Sequence, residues 1–173
     1  MDAAARQMSA APGRTIRSLG AASRGAIRAH FAALGPEDRL LRFGYQPGEA
    51  VLDEYVARID FGSALLLAAC DPQERIAALV ELRPRGRDFE LGLSVLPRAR
   101  GQGLGSTLLA WALRHARQRG ARRVIIYCQS RNQRMMRLAR RFGAQFRCSG
   151  SEALGTIDAA GTSGGLPVLA RAS

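Results

Sequence analysis

Residues 95–106 read Val-Leu-Pro-Arg-Ala-Arg-Gly-Gln-Gly-Leu-Gly-Ser. An apolar strand from Phe89 to Val95 runs into Pro97, and a helix-forming stretch from Thr107 to Arg119 follows the glycines. Gly101, Gly103 and Gly105 let the chain turn tightly and approach a ligand without interference from a Cβ. The amides after them fall at a helix N-terminus, where unpaired N–H groups and the positive end of the dipole favour an anion. Arg98 and Arg100 add positive charge suited to a phosphate. The segment reads as a pyrophosphate cradle between a strand and a helix.

Other phosphate loops are excluded by their own requirements. A P-loop needs Lys-Ser/Thr after its last glycine, and Ser106 follows Gly105 with no lysine. A dinucleotide fingerprint needs Gly-x-Gly-x-x-Gly and an acid after the next strand. Here the spacing is Gly-x-Gly-x-Gly, and the strand Arg123 to Cys128 is followed by Gln129 and Ser130.

Arg100-Gly101-Gln102-Gly103-Leu104-Gly105 resembles the Arg/Gln-x-x-Gly-x-Gly/Ala acetyl-CoA signature of the GNAT superfamily of N-acetyltransferases. Glu90 to Pro97 resembles that superfamily's fourth strand, and Val124 to Ser130 its fifth. Asn132 to Phe142-Gly143 resembles the helix that follows. His30 to Phe43 and Tyr55 to Phe61 resemble the helical N-terminal part of one bacterial branch, so the likeness spans roughly residues 14 to 160. It implies an α/β fold of layered α+β type. The central sheet would be mixed and mostly antiparallel, with helices on both faces and strands four and five splayed around coenzyme A.

The resemblance also implies a set of contacts. Arg98, Arg100, Gly101, Gln102, Gly103, Leu104, Gly105 and Ser106 would hold the cofactor pyrophosphate. Backbone groups of Leu93 and Val95 would hold the pantetheine, and Asn132 would touch the cofactor or cap its own helix. Glu90 is the candidate general base. Alternation along the strand places Glu90, Gly92 and Ser94 on one face, although a glutamate there also suits pairing with an arginine. Many relatives carry a tyrosine seven residues after the helix asparagine, as acid toward the leaving thiolate. Here that position is Ala139, leaving Tyr127, Cys128, Ser130 or water as replacements.

The remaining segments read as follows. Thr15–Leu19 predicts a strand, and Ala21–Leu34 a helix. Helix starts fall at Pro36 and Pro47, the second followed by a stripe of Val51, Leu52, Tyr55, Val56 and Ile59. Ser63–Cys70 and Arg75–Arg83 form a hairpin around Asp71-Pro72-Gln73-Glu74. Ala144–Arg147 and Glu152–Asp158 are the last strands, ahead of a Gly/Ser-rich stretch from Gly161 to Gly165. Residues 1–13 read as a disordered leader, and 14–173 as one domain with the last ten or so residues loose.

Composition sets the outer bounds. The chain has 173 residues, 47% of them hydrophobic, which is enough for one core. Its longest apolar run, Ala64 to Cys70, is far below the roughly 20 residues of a membrane span. Three widely spaced cysteines, Cys70, Cys128 and Cys148, suit reduced thiols in the cytoplasm and no metal site. His30 and His115 lack partner acids at ligand spacing and read as packing or surface residues. Trp111, Met135 and Met136 also read as packing.

All 26 basic residues are arginine, and the net charge is +12. Arg114–Arg123 and Arg131–Arg141 form basic clusters that raise nucleic-acid binding as a rival reading. No zinc knuckle, aromatic platform or recognition helix accompanies them, and a solvated face explains them more simply. The function implied is acetyl transfer from acetyl-CoA to a primary amine, direct and within a ternary complex. The alternative is a non-catalytic coenzyme A-binding sensor. Asp53, Glu54 and Asp60 are the acids placed to draw a cationic acceptor, and homodimers are common in the superfamily.

Overall fold

The structure is a computed structural model that describes residues 8–11 and 13–159. The expected leader before Met8, the Gly161–Gly165 stretch and the tail lie outside them. The strands are β1 (Met8–Ala11), β2 (Arg14–Ser18), β3 (Leu65–Cys70), β4 (Ile76–Arg85), β5 (Asp88–Val95), β6 (Arg123–Gln129), β7 (Gln145–Ser149) and β8 (Glu152–Asp158). The helices are α1 (Arg24–Ala32), α2 (Pro36–Phe43), α3 (Glu49–Ala57), α4 (Leu104–Gln118) and α5 (Gln133–Arg140). One sheet runs in the order β1-β2-β3-β4-β5-β6-β8-β7. Every neighbouring pair is antiparallel except β5 and β6, which run parallel.

The expected mixed sheet with helices on both faces is therefore present. β4 is buried without interruption from Ile76 to Leu82, as a central strand covered on both faces must be. On one face Leu66, Ala68, Cys70, Ile76 and Leu79 meet Ile27, Phe31, Leu52 and Val56 of α1 and α3. On the other, Val80, Leu82 and Leu91 meet Leu104, Leu108, Leu109 and Leu113 of α4, and Ala139 of α5 joins this layer. In the α3 stripe Leu52, Val56 and Ile59 are buried, whereas Val51 is turned outward.

Two boundaries depart from the sequence reading. Residues 8–11 fall within the expected leader but form β1, pairing Met8 with Ile16 and Ser9 with Thr15. The free edge of β2 offers unpaired N–H and C=O groups that a neighbouring extended segment satisfies. α4 begins at Leu104, three residues before the expected Thr107. Gly105 and Ser106 are weak helix formers by propensity, yet both lie in its first turn.

The parallel junction gives the fold its opening. β5 and β6 pair only at Phe89–Val124 and Glu90–Ile125, then diverge. From Leu91 onward β5 has β4 on one side and, among the described residues, no strand on the other. α2 packs over β5 and β6 on one face of this fork, and α4 and α5 flank it on the other.

Candidate active site

The first cleft at the fork has a volume of about 590 Å³ and is lined by Leu93, Val95, the glycine loop, α5 and the α2 side chains Asp38, Leu41 and Arg42. Gly101 and Gly103 hold φ of 76° and 74°, in the left-handed region that glycine tolerates. Gly103 is the N-cap of α4. Among the described residues, the N–H groups from Gly101 to Ser106 have no protein acceptor. Space is open above the turn, since a Cβ at Gly101 or Gly103 would meet nothing within 4 Å. Gly105 differs: a Cβ there would come within 3.3 Å of Leu138 and 3.7 Å of Val95, so its glycine keeps α4 close to α5 and β5. Arg134 of α5 and Arg141, just after it, line the same cleft as the loop. A row of unpaired amides under arginines fits a pyrophosphate.

Arg100 lies within this cleft. Its Nη2 donates to Asp38 Oδ1 at 2.5 Å and its Nε to the Val95 carbonyl at 3.3 Å. Gln102 turns back, donating to the Arg98 carbonyl at 3.3 Å and accepting from Arg14 Nε at 3.0 Å.

A second cleft, about 640 Å³, lies on the α2 side of the fork. Its wall includes Tyr45, Tyr55, Arg83, Glu90, Tyr127 and Cys128, and it shares Leu41, Arg42, Leu93, Asn132 and Met135 with the first. Glu90 is partly exposed and paired with arginine: Oε1 accepts from Arg83 Nη2 at 2.9 Å, and Oε2 lies 3.6 Å from Arg85 Nη1. Beneath it Glu81 is buried. Glu81 Oε2 accepts from Tyr55 Oη at 2.5 Å and from Arg42 Nη2 at 2.8 Å. Burial pushes the Tyr55 phenol above its ordinary pKa, against the pull of Arg42. Burial also pushes the Cys128 thiol up to about 11.

The family model for the acetyltransferase (GNAT) family matches residues 37–144, which hold the loop and most of the residues lining both clefts. The chain belongs to the GNAT acetyltransferase family. No curated protein matches its sequence. Among solved structures it is similar to the GNAT domain of S. lividans PAT, with a TM-score of 0.75 at 18% identity over 89% of this chain and 96% of that one. It is similar to a GNAT-family acetyltransferase from Bacillus anthracis, with a TM-score of 0.67 at 14% identity over 88% and 98%. The PaiA N-acetyltransferase of Thermoplasma acidophilum, in complex with coenzyme A, gives a TM-score of 0.65 at 17% identity over 87% and 99%. At these identities the likeness shows a shared GNAT fold.

Within the GNAT frame, Leu93, Val95, Arg100, Gly101, Gly103, Leu104, Gly105, Ser106 and Asn132 all line the first cleft. Arg98 is exposed on the turn Pro97–Ala99 and is absent from that lining, as is Gln102. Asn132 lines the cleft while its Oδ1 accepts from the Met135 N–H at 3.1 Å, capping α5. Ala139 is fully buried and lines neither cleft. Of the substitutes for the missing tyrosine, Tyr127 and Cys128 line the second cleft. Ser130 instead donates its hydroxyl to the Gly150 carbonyl.

The acids expected to attract an acceptor are otherwise engaged. Asp53 pairs with Arg28 at 2.5 Å and Glu54 with Arg58 at 2.5 Å, while Asp60 closes a turn on Gly62 and Ser63. Met135 read as packing, but it lines both clefts. Arg42, Tyr55 and Glu81 were not legible as site residues in the sequence. A lone glutamate inside the apolar run Ile76–Leu82 was the available signal.

Proposed function

We propose that the protein is an acetyl-CoA-dependent N-acetyltransferase of the cytoplasm, moving acetyl directly to a primary amine within a ternary complex. The observation that carries this reading is the meeting of the two clefts at Leu93, Arg42, Asn132 and Met135. A donor laid along the glycine loop and an amine beside Glu90 would come together there. Acetyl-CoA supplies the thioester carbonyl and the leaving thiolate. The amides from Gly101 to Ser106, with Arg100, bind the pyrophosphate, and the free edge of β5 at Leu93 and Val95 takes the pantetheine.

An amine with a pKa near 10.4 is neutral in only about one molecule in a few thousand at pH 7. Glu90, directly or through water, takes the ammonium proton. The nitrogen–carbon bond then forms as the carbon–sulfur bond breaks, and the electron pair leaves on sulfur. The second amine proton passes to that thiolate, giving an amide and a free thiol. Cys128 stays protonated, which supports direct transfer over an acyl-cysteine route. Holding both reactants at attack distance supplies much of the rate.

Thiol release across a panel of amines tests the reading. Glu90→Gln is expected to lower kcat/KM by about 10²–10⁴ while acetyl-CoA affinity holds. Gly103→Glu, which sets a carboxylate in the cradle, is expected to abolish the thermal stabilisation that acetyl-CoA gives the wild type. Absence of that stabilisation in the wild type overturns the reading. The buried Ala139 favours a second reading, a donor-binding module without turnover. Tight acetyl-CoA binding with no thiol release from any amine would select it.

A further inference from the structure

Arg42, in the last turn of α2, reaches into the point where the two clefts join. Its side chain is only 8% exposed, and its guanidinium lies 4.9 Å from the Phe43 ring centroid and 5.5 Å from that of Phe31. Nη2 is engaged by Glu81 at 2.8 Å and by the Tyr55 hydroxyl at 3.3 Å. Nε is buried without an acceptor, and Nη1 makes no hydrogen bond to the described residues. The guanidinium rests on Gly92, where a Cβ would fall 2.5–2.7 Å from its Cζ, Nη1 and Nη2. Nη1 is thus left as a charged donor at the wall the two clefts share, suited to one oxygen of a carboxylate.

The charges around it agree. Arg42, Arg83 and Arg85 face Glu81 and Glu90, leaving one positive charge uncompensated in a half-buried cluster. The opposite wall carries one charge of each sign, Arg147 and Glu152. Such a cleft disfavours a polycationic amine. A zwitterion places its carboxylate on the surplus charge and its ammonium toward Glu90. Glu90 and Gly92 share one strand face roughly 7 Å apart, which is within the span of an α-amino acid and one water.

We infer that the acceptor is an amine that carries a carboxylate, of the amino-acid class, and that Nη1 of Arg42 is its carboxylate receptor. This rests on the acetyl-transfer reading, and the test separates the two. N-acetylated alanine, leucine and phenylalanine, each against its own amide, are titrated by calorimetry into protein saturated with coenzyme A. The acids are expected to bind about 10- to 100-fold more tightly than the amides. Arg42→Lys keeps a charge for Glu81 but has no second nitrogen left for a carboxylate, and Gly92→Ala displaces the guanidinium. Both should bring acid and amide within about threefold of each other.

Equal binding of acid and amide to the wild type overturns the inference, as does an acid preference that survives in both variants. A preference for succinyl-CoA over acetyl-CoA that vanishes in Arg42→Lys places the carboxylate on the acyl group and also overturns it. An acid preference in binding without transfer to any amine fells the transfer reading and leaves the receptor standing. Transfer without an acid preference does the reverse.

Discussion

Glu81 holds Arg42 in place from below, and the pair shows how a single side chain in this protein serves packing and chemistry together. Both partners are nearly excluded from water, so each depends on the other for its charge to be tolerated. Glu81→Gln is expected to cost about 3 kcal/mol in urea unfolding, because it strands the guanidinium. The effect of Asp38 on Arg100 is opposite in kind. Their 2.5 Å contact holds a carboxylate in the first cleft, where it would compete with the proposed pyrophosphate for Arg100. Asp38→Asn should therefore tighten acetyl-CoA binding, by about two- to fivefold for a partly exposed pair, as read by calorimetry. The loop residues at this site were legible because glycines and arginines at fixed spacing have few structural alternatives. Arg42 and Tyr55 were not, since an arginine in a helix and a tyrosine in an apolar stripe look like ordinary surface and core. Their roles arise only when α2, α3 and β4 converge.

β5 serves as the floor of both clefts, and one histidine helps to fix it. His30 of α1 packs on the strand face that carries Glu90 and Gly92, with Nε2 2.8 Å from Ser94 Oγ and Nδ1 3.1 Å from the Ile76 carbonyl. Burial pushes its pKa down to about 4, assisted by the charges of Arg42 and Arg98 and partly offset by the Ile76 carbonyl. Nδ1 therefore carries the proton donated to Ile76, and Nε2 accepts from Ser94. Between pH 4 and the unfolded value near 6.5 the unfolded chain binds more protons, so stability rises with pH across that window. The contribution is complete above about pH 6.5, is lost toward about pH 4, and is on the order of 3 kcal/mol at most. Unfolding free energies measured at about pH 7 and about pH 4.5 should differ less in His30→Gln than in the wild type. Packing was the expected role of this residue, but its link to Ser94 depends on strand register. Likewise the alternation of β5 was readable, with Glu90, Gly92 and Ser94 on one face, whereas the first turn of α4 was masked by glycine propensities that tertiary packing overrides.

At the scale of the molecule, the mixed sheet with helices on both faces and the apolar runs were readable, and so was the splaying of β5 from β6. The short β1 was not, because its pairing depends on an edge rather than on its own pattern. The fork divides the sheet into two leaves that share one seam. The first cleft crosses that seam, since the loop belongs to the β5 side and Asn132, Met135 and Leu138 to the β6 side. Acetyl-CoA is expected to slow hydrogen exchange most strongly at Gly101–Ser106, whose amides lack protein acceptors, and at the start of α5. Mass-resolved exchange with and without the ligand checks this. Uniform protection across both leaves would mean the ligand acts through global stability alone.

The seam also has a consequence under load. β4 and β5 pair along eight positions and β6 and β8 along seven, while β5 and β6 share only two. A force drawn across the sheet, from β4 toward β8, meets its weakest line of hydrogen bonds there. The molecule should part at that line in one early step, two intact plates swinging on the chain that joins α4 to β6. Whatever spans the gap between the plates acts as a rivet.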